Sequence, residues 1–134
     1  FKLTKNKVFV LLGDGECHEG TIWEAANIAS NLRLGNLCAI VDWNGSAKQL
    51  MPRDELLKKW KAFGWKSNLM DGHSNDSMKK KFRGLKFNLN GSPNLLLAKT
   101  TKGKGVSFLE GHGTWHHKIP NENELKLIMK ELTK

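Results

Sequence analysis

An aspartate flanked by glycines, Gly13-Asp14-Gly15, follows directly on the apolar run Val8-Phe9-Val10-Leu11-Leu12. Thirty positions after Asp14, Asn44 closes the triplet Asp42-Trp43-Asn44, directly after a second apolar run, Leu37 to Val41. Asp14 offers a hard anionic oxygen and Asn44 a neutral one. Mg²⁺ is held by one or two such side chains together with phosphate oxygens of its ligand. The glycines would let the backbone turn tightly and approach a ligand closely. Their N–H groups would form a nest for an anion. An Asx turn at Asp14 and a loop cap at Asn44 would use the same residue types. The pairing of the two across one β-α-β unit favours the ligand role, because α/β sheets bind at the carboxyl ends of their strands.

The elements that must position these residues can be read from periodicity. Val8 to Leu12 and Leu37 to Val41 are continuous apolar runs, as expected of strands buried on both faces. Between them, after a loop from Gly13 to Gly20, a helix is expected from about Thr21 to Arg33. Ile22, Ala25, Ala26, Ala29 and Leu32 form its apolar stripe. Gly35 is expected as the left-handed residue that stops it. Asp42 to Leu50 is a loop. A second helix starts near Pro52-Arg53-Asp54, with Asp54 as N-cap. It buries Leu56, Leu57, Trp60 and Phe63 and ends at Gly64. Trp65 to Met70 reads as a short strand and Asp71-Gly72-His73 as a turn. Asn75 to about Lys86 reads as a basic helix, and Asn94 to Lys99 as another buried strand. Thr100 to Gly105 is a glycine loop, His112 to Pro120 is irregular, and Asn123 to Leu132 is a terminal helix. Alternating strands and helices imply an α/β fold, a parallel sheet with helices on both faces and right-handed crossovers.

The stretch GDGECHEGTIWEAANIASNLRLGNL, followed by Asn44, resembles the diphosphate-binding motif of thiamine-diphosphate enzymes, and within them transketolase. The likeness is greatest to the amino-terminal subunit of split transketolases. KWKAFGW (59–65), DGH (71–73), KTTKGKGVSF (99–108) and WHHKIPNENEL (115–125) agree in the same order, so the resemblance spans nearly the whole chain. It implies a single domain over residues 1–134 with the thiamine-diphosphate-binding fold in partial form. The family carries a further stretch before the GDG strand, and the chain here opens at Phe1 close to that strand. A fragment, a split gene product and a degraded relative all fit that start.

The resemblance also implies roles. Asp14, Asn44 and the backbone carbonyl of Ser46 would hold Mg²⁺, and Gly13 and Gly15 would meet the diphosphate, helped by the positive amino end of the following helix. Glu19 aligns with a glutamate of a proton-linked acidic network near the cofactor. A glutamate complementing the helix dipole is an equal reading of it. His116 and His117 fall where the family places a histidine that touches cofactor and substrate, with His112 competing. A histidine there can donate to an oxyanion and carry protons. Ketol transfer further implies a carboxyl-terminal, pyrimidine-binding partner subunit in a hetero-oligomer, sugar phosphate substrates and a cytoplasmic location. Lys102 and Lys104 could meet a phosphate, though solvated lysines are the plainer reading. His73 is read as part of its turn.

Composition narrows the alternatives. A chain of 134 residues is the size of one domain, and apolar runs of five residues do not cross a membrane. The net charge of +9 would suit nucleic acid, but the lysines are scattered or lie on helix faces, as in Lys58, Lys59, Lys61 and Lys79 to Lys81. Cys17 and Cys38 are expected to be reduced and lack metal-site spacing. Behind the transketolase reading stand a subunit of a 2-oxoacid dehydrogenase, a non-catalytic remnant of the fold, and a basic nucleic-acid-binding domain.

Overall fold

The computed structural model describes residues 5–49, 51–53, 55–111, 115 and 117–133. Four strands, β1 (Val8–Gly13), β2 (Leu37–Trp43), β3 (Lys66–Asp71) and β4 (Asn94–Lys99), form one parallel sheet in the order β1-β2-β4-β3. Helices α1 (Gly20–Asn31) and α2 (Leu56–Ala62) lie on one face. Helix α3 (Asn75–Arg83) lies on the other, and α4 (Glu122–Leu132) closes the chain. Short 3₁₀ turns occupy Glu16–His18 and Ser46–Gln49. The α/β expectation holds.

Alternation along the strands sorts the core into two layers. Leu12, Ala39, Val41, Leu95 and Leu97 pack with Ala26 and Ala29 of α1, Leu56 and Trp60 of α2, and Trp65. Cys38, Leu96, Ala98 and Met70 pack with Ile40, Met78, Leu85 and Phe87 on the α3 side. The rings of Trp60 and Trp65 meet edge to face at 4.7 Å, and the Trp65 Nε1–H donates to the Ala26 carbonyl at 3.0 Å. Two alanines bring that carbonyl close to the sheet, so an indole N–H buried in the core still finds its acceptor.

The remaining helix ends follow local rules. Ser74 caps α3 by accepting the Ser77 N–H. Asn121 and Glu124 form a capping box at α4. Gly64 ends α2 at φ +84°, with Gly64 N–H on the Lys61 carbonyl and Trp65 N–H on the Trp60 carbonyl, the paired bonds of a Schellman motif. Asp54, the expected cap of α2, lies outside the described residues, and α2 begins at Leu56.

Three expectations need correction. β1 is not buried on both faces. Among the described residues it is the edge of the sheet, paired with β2 alone, and Phe9 and Leu11 are 49% and 72% exposed. The stripe of α1 is narrower than its periodicity suggests. Ala26 and Ala29 are buried in the core, whereas Ala25 and Leu32 are exposed. Finally, Gly35 does not stop α1. Arg33 takes the left-handed position at φ 53°, with Arg33 N–H on the Ser30 carbonyl and Leu34 N–H on the Ala29 carbonyl.

Neither Cys17 nor Cys38 is in a disulfide and both are buried, in agreement with the reduced reading. Burial pushes the Cys38 thiol up from 9.0 to about 11, which cuts its thiolate fraction about 100-fold at a given pH. A thiol reagent at neutral pH is therefore expected to label Cys38 at least about 100-fold more slowly in the native chain than in denaturant. Native labelling at the denatured rate, read by mass spectrometry of the modified peptide, would contradict this packing.

Candidate functional site

Strand register lines up the carboxyl ends that bear the candidate residues. Gly13 pairs with Asp42, Asp42 with Ala98, and Met70 with Ala98, so the loops after all four strands leave from one row. The Asp14 N–H donates to the Asp42 carbonyl at 3.1 Å, one last rung beyond β1. That rung turns the Asp14 side chain under the loop after β2.

Asp14 is 3% exposed. Its Oδ2 accepts the Gly45 N–H at 2.9 Å and the Ala47 N–H at 3.4 Å. A buried carboxylate needs such partners, and Gly45, at φ +81°, gives the loop the sharp turn that supplies them. Asn44 is half-buried. Its Oδ1 accepts the Ser46 N–H at 2.9 Å, and its Nδ2 donates to Asp42 Oδ2 at 3.2 Å. Asp14, Asn44 and Ser46, thirty residues apart in sequence, thus share one hydrogen-bonded loop. The set consists of hard oxygens: a carboxylate, an amide carbonyl and the Ser46 backbone carbonyl. Such oxygens are the donor type that Mg²⁺ takes. Among the described residues no group of three or more His, Cys, Asp or Glu could hold a metal on its own.

The two motif glycines were expected to allow a tight turn and a close approach. Neither has positive φ. Nothing lies within 4 Å of a Cβ placed on Gly15, and one on Gly13 would meet only Glu16 Oε2, at 3.5 Å. The space beside them is open, and the turn at Asp14-Gly15 is made without a left-handed glycine. The Gly13 N–H donates to Glu16 Oε2 at 2.6 Å, so an anionic oxygen already sits where a phosphate oxygen would be received. The 3₁₀ turn Glu16–His18 intervenes before α1, which begins at Gly20. The amino end of α1 therefore comes at Gly20, after the loop, within one residue of the start expected from sequence.

Glu19 immediately precedes α1, is exposed, and makes no side-chain cap bond. His117 is exposed on the segment before α4. His116 and His112 lie outside the described residues. The structure thus assembles Gly13, Asp14, Asn44 and Ser46 at the ends of β1 and β2.

Sequence reasoning missed Asp42, His73 and Thr100. They line, with Asn44 and Lys102, an open cleft of about 600 Å³ beside the Asp14–Asn44 loop, floored by Ile40, Met70 and Ala98. The Thr100 hydroxyl donates to Asp42 Oδ1 in a short hydrogen bond. Their common signal is position: each lies at or just past the carboxyl end of a strand.

Against known proteins, residues 1–133 match the family described as "Transketolase, thiamine diphosphate binding domain". A subunit of the apulose-4-phosphate transketolase of Actinobacillus succinogenes is 41% identical over 96% of this chain and 48% of its own length. The 6-deoxy-6-sulfo-D-fructose transketolase subunit SqwG of a Clostridium species is 38% identical over 96% of this chain and 48% of its own. Human transketolase is 36% identical over 98% of this chain and 21% of its own. The crystal structure of transketolase from Campylobacter jejuni superposes with a TM-score of 0.84 at 28% identity, over 98% of this chain and 21% of that one. The chain thus spans about half the length of the subunit relatives that it matches.

Proposed function

The chain belongs to the transketolase thiamine diphosphate binding domain family, and on that premise we propose that it is the diphosphate-side part of a transketolase acting on sugar phosphates. The observation that carries this reading is the Gly45 N–H donated to Asp14 Oδ2, which joins the two halves of the GDG–Asn motif into one oxygen-lined loop. Asp14, Asn44 and the Ser46 carbonyl would hold Mg²⁺. Gly13 and Gly15 would face the diphosphate, with Glu16 moving off the Gly13 N–H as it enters. Thiamine diphosphate, when bound, supplies the carbon nucleophile for moving a two-carbon ketol unit from a ketose to an aldose. This chain's part is to hold the charged end, to keep Asp14 out of water so that its charge acts at close range, and to offer Glu19 and the His116–His117 pair for proton handling.

We take residues 1–134 as one domain and place it in the cytoplasm. No helix of the described residues is long and apolar enough to cross a membrane. Three of the similar proteins are named as subunits of a transketolase rather than as whole enzymes, which supports a pyrimidine-binding partner here too. Native mass spectrometry of the chain purified from its own cells, with Mg²⁺ and thiamine diphosphate, tests the proposal. The expected species is a complex with a second polypeptide that carries the cofactor mass. A lone 15.1 kDa species without cofactor, or acyl formation from 2-oxo acids in place of ketol transfer, would overturn it.

A further inference from the structure

The turn after β3 is built to touch the loop after β4. The His73 N–H donates to Asp71 Oδ1 at 2.9 Å, an Asx turn that fixes where the imidazole starts. The Gly72 N–H donates to the Lys99 carbonyl at 2.9 Å. A Cβ on Gly72 would stand 2.5 Å from Thr100 Cγ2 and 3.1 Å from the Lys99 carbonyl, so the turn can lie against Thr100 only without a side chain. From there His73 Nε2 accepts the Thr101 N–H at 2.7 Å. A ring nitrogen that accepts carries no proton, which leaves the proton of the neutral ring on Nδ1.

Thr101 is held on one side by His73, and its neighbour Thr100 is held on the other. The Thr100 N–H reaches the Trp43 carbonyl at 3.3 Å and its hydroxyl donates to Asp42 Oδ1. Asp42 Oδ2 accepts Asn44 Nδ2, which turns the Asn44 amide oxygen towards the Ser46 N–H and its own loop. With the amide reversed, its NH₂ would face that N–H, donor against donor, and no oxygen would be presented.

We propose that His73 is a positioning residue of this site: by holding the Thr101 N–H it seats the Thr100 hydroxyl on Asp42, and through Asp42 it sets which way the Asn44 amide oxygen points. The use made of that oxygen rests on the proposed function; the coupling itself does not. Glutamine can place its amide oxygen where Nε2 sits, whereas leucine fills similar space and accepts nothing. His73→Leu is therefore expected to speed deuterium exchange of the Thr101 amide by about tenfold and to shift the NMR signal of the Asn44 side-chain amide. His73→Gln is expected to restore both. Thr100→Val, which keeps the His73 bond, is expected to shift the Asn44 signal and leave Thr101 protected; it reads the second half of the relay should the His73 variants fold poorly. Titration of the full chain with Mg²⁺ and thiamine diphosphate, with its partner subunit, is expected to give about tenfold weaker binding in His73→Leu and Thr100→Val. An Asn44 signal unchanged in His73→Leu or Thr100→Val, or not restored by His73→Gln, would overturn the proposal. A moved signal in a chain whose wild type binds no cofactor would support the relay and refute the proposed function instead.

Discussion

Asp14→Asn is expected to weaken retention of Mg²⁺ and thiamine diphosphate by about 100-fold, near 2.7 kcal/mol, with little change in melting temperature. The asparagine keeps an oxygen that can go on accepting the Gly45 N–H at 2.9 Å, so the loop after β2 stays closed. What it loses is charge. Under the proposed function, a diphosphate and its metal would meet a neutral amide in place of a buried carboxylate, and the dication would lose an anionic side-chain ligand. Asp14→Ala is the more damaging change for a different reason. It leaves the Gly45 and Ala47 N–H groups without their acceptor, so lost binding in that variant would mix two causes. Calorimetric titration with Mg²⁺ and thiamine diphosphate, beside a thermal melt of the same sample, separates them. Unchanged binding in Asp14→Asn would refute the metal-ligand role.

Gly35→Ala is expected to cost roughly 3 kcal/mol of stability, seen as a fall of about 10 °C in melting temperature. A Cβ at Gly35 would stand 1.9 Å from the Asn88 carbonyl oxygen and 2.9 Å from that of Gly91. Both obstacles are backbone, and the 88–91 turn is tied by its own Gly91 N–H to Asn88 carbonyl bond at 2.9 Å. It cannot swing aside as a side-chain tip could. The β1–β2 crossover would have to part from the loop that leads into β4. A melting temperature within about 2 °C of wild type, measured by differential scanning calorimetry, would show that the two turns separate freely.

Gly35 also marks where reading from sequence reached its limit. A glycine shortly after a helical stripe suggested a helix stop, which is a local rule. The stop lies two residues earlier, at Arg33, where the Schellman bonds to Ser30 and Ala29 hold a non-glycine residue at positive φ. Gly35 serves a contact with a turn more than fifty residues away. Periodicity carries no information about such a contact. The same holds for β1. Its five apolar residues suggested burial on both faces, and only the strand order shows it at an edge. Other local readings held. Gly64 ends α2, Leu56 and Trp60 are its buried residues, and the run in β4 from Asn94 to Ala98 is buried throughout.

The sequence alone was enough to specify the types of the elements, the parallel α/β class and the Asp14–Asn44 pair, because each depends on residues within one element or one β-α-β unit. Tertiary structure decided which loops share a site. The order β1-β2-β4-β3 inserts the last strand between β2 and β3. That insertion brings Thr100 to Asp42 on one side and Thr101 to His73 on the other. Those contacts cross 58 and 28 residues of chain. They exist only once parallel strands have paired at a distance, a choice made by the packing of helices on both faces of the sheet and not by any local pattern.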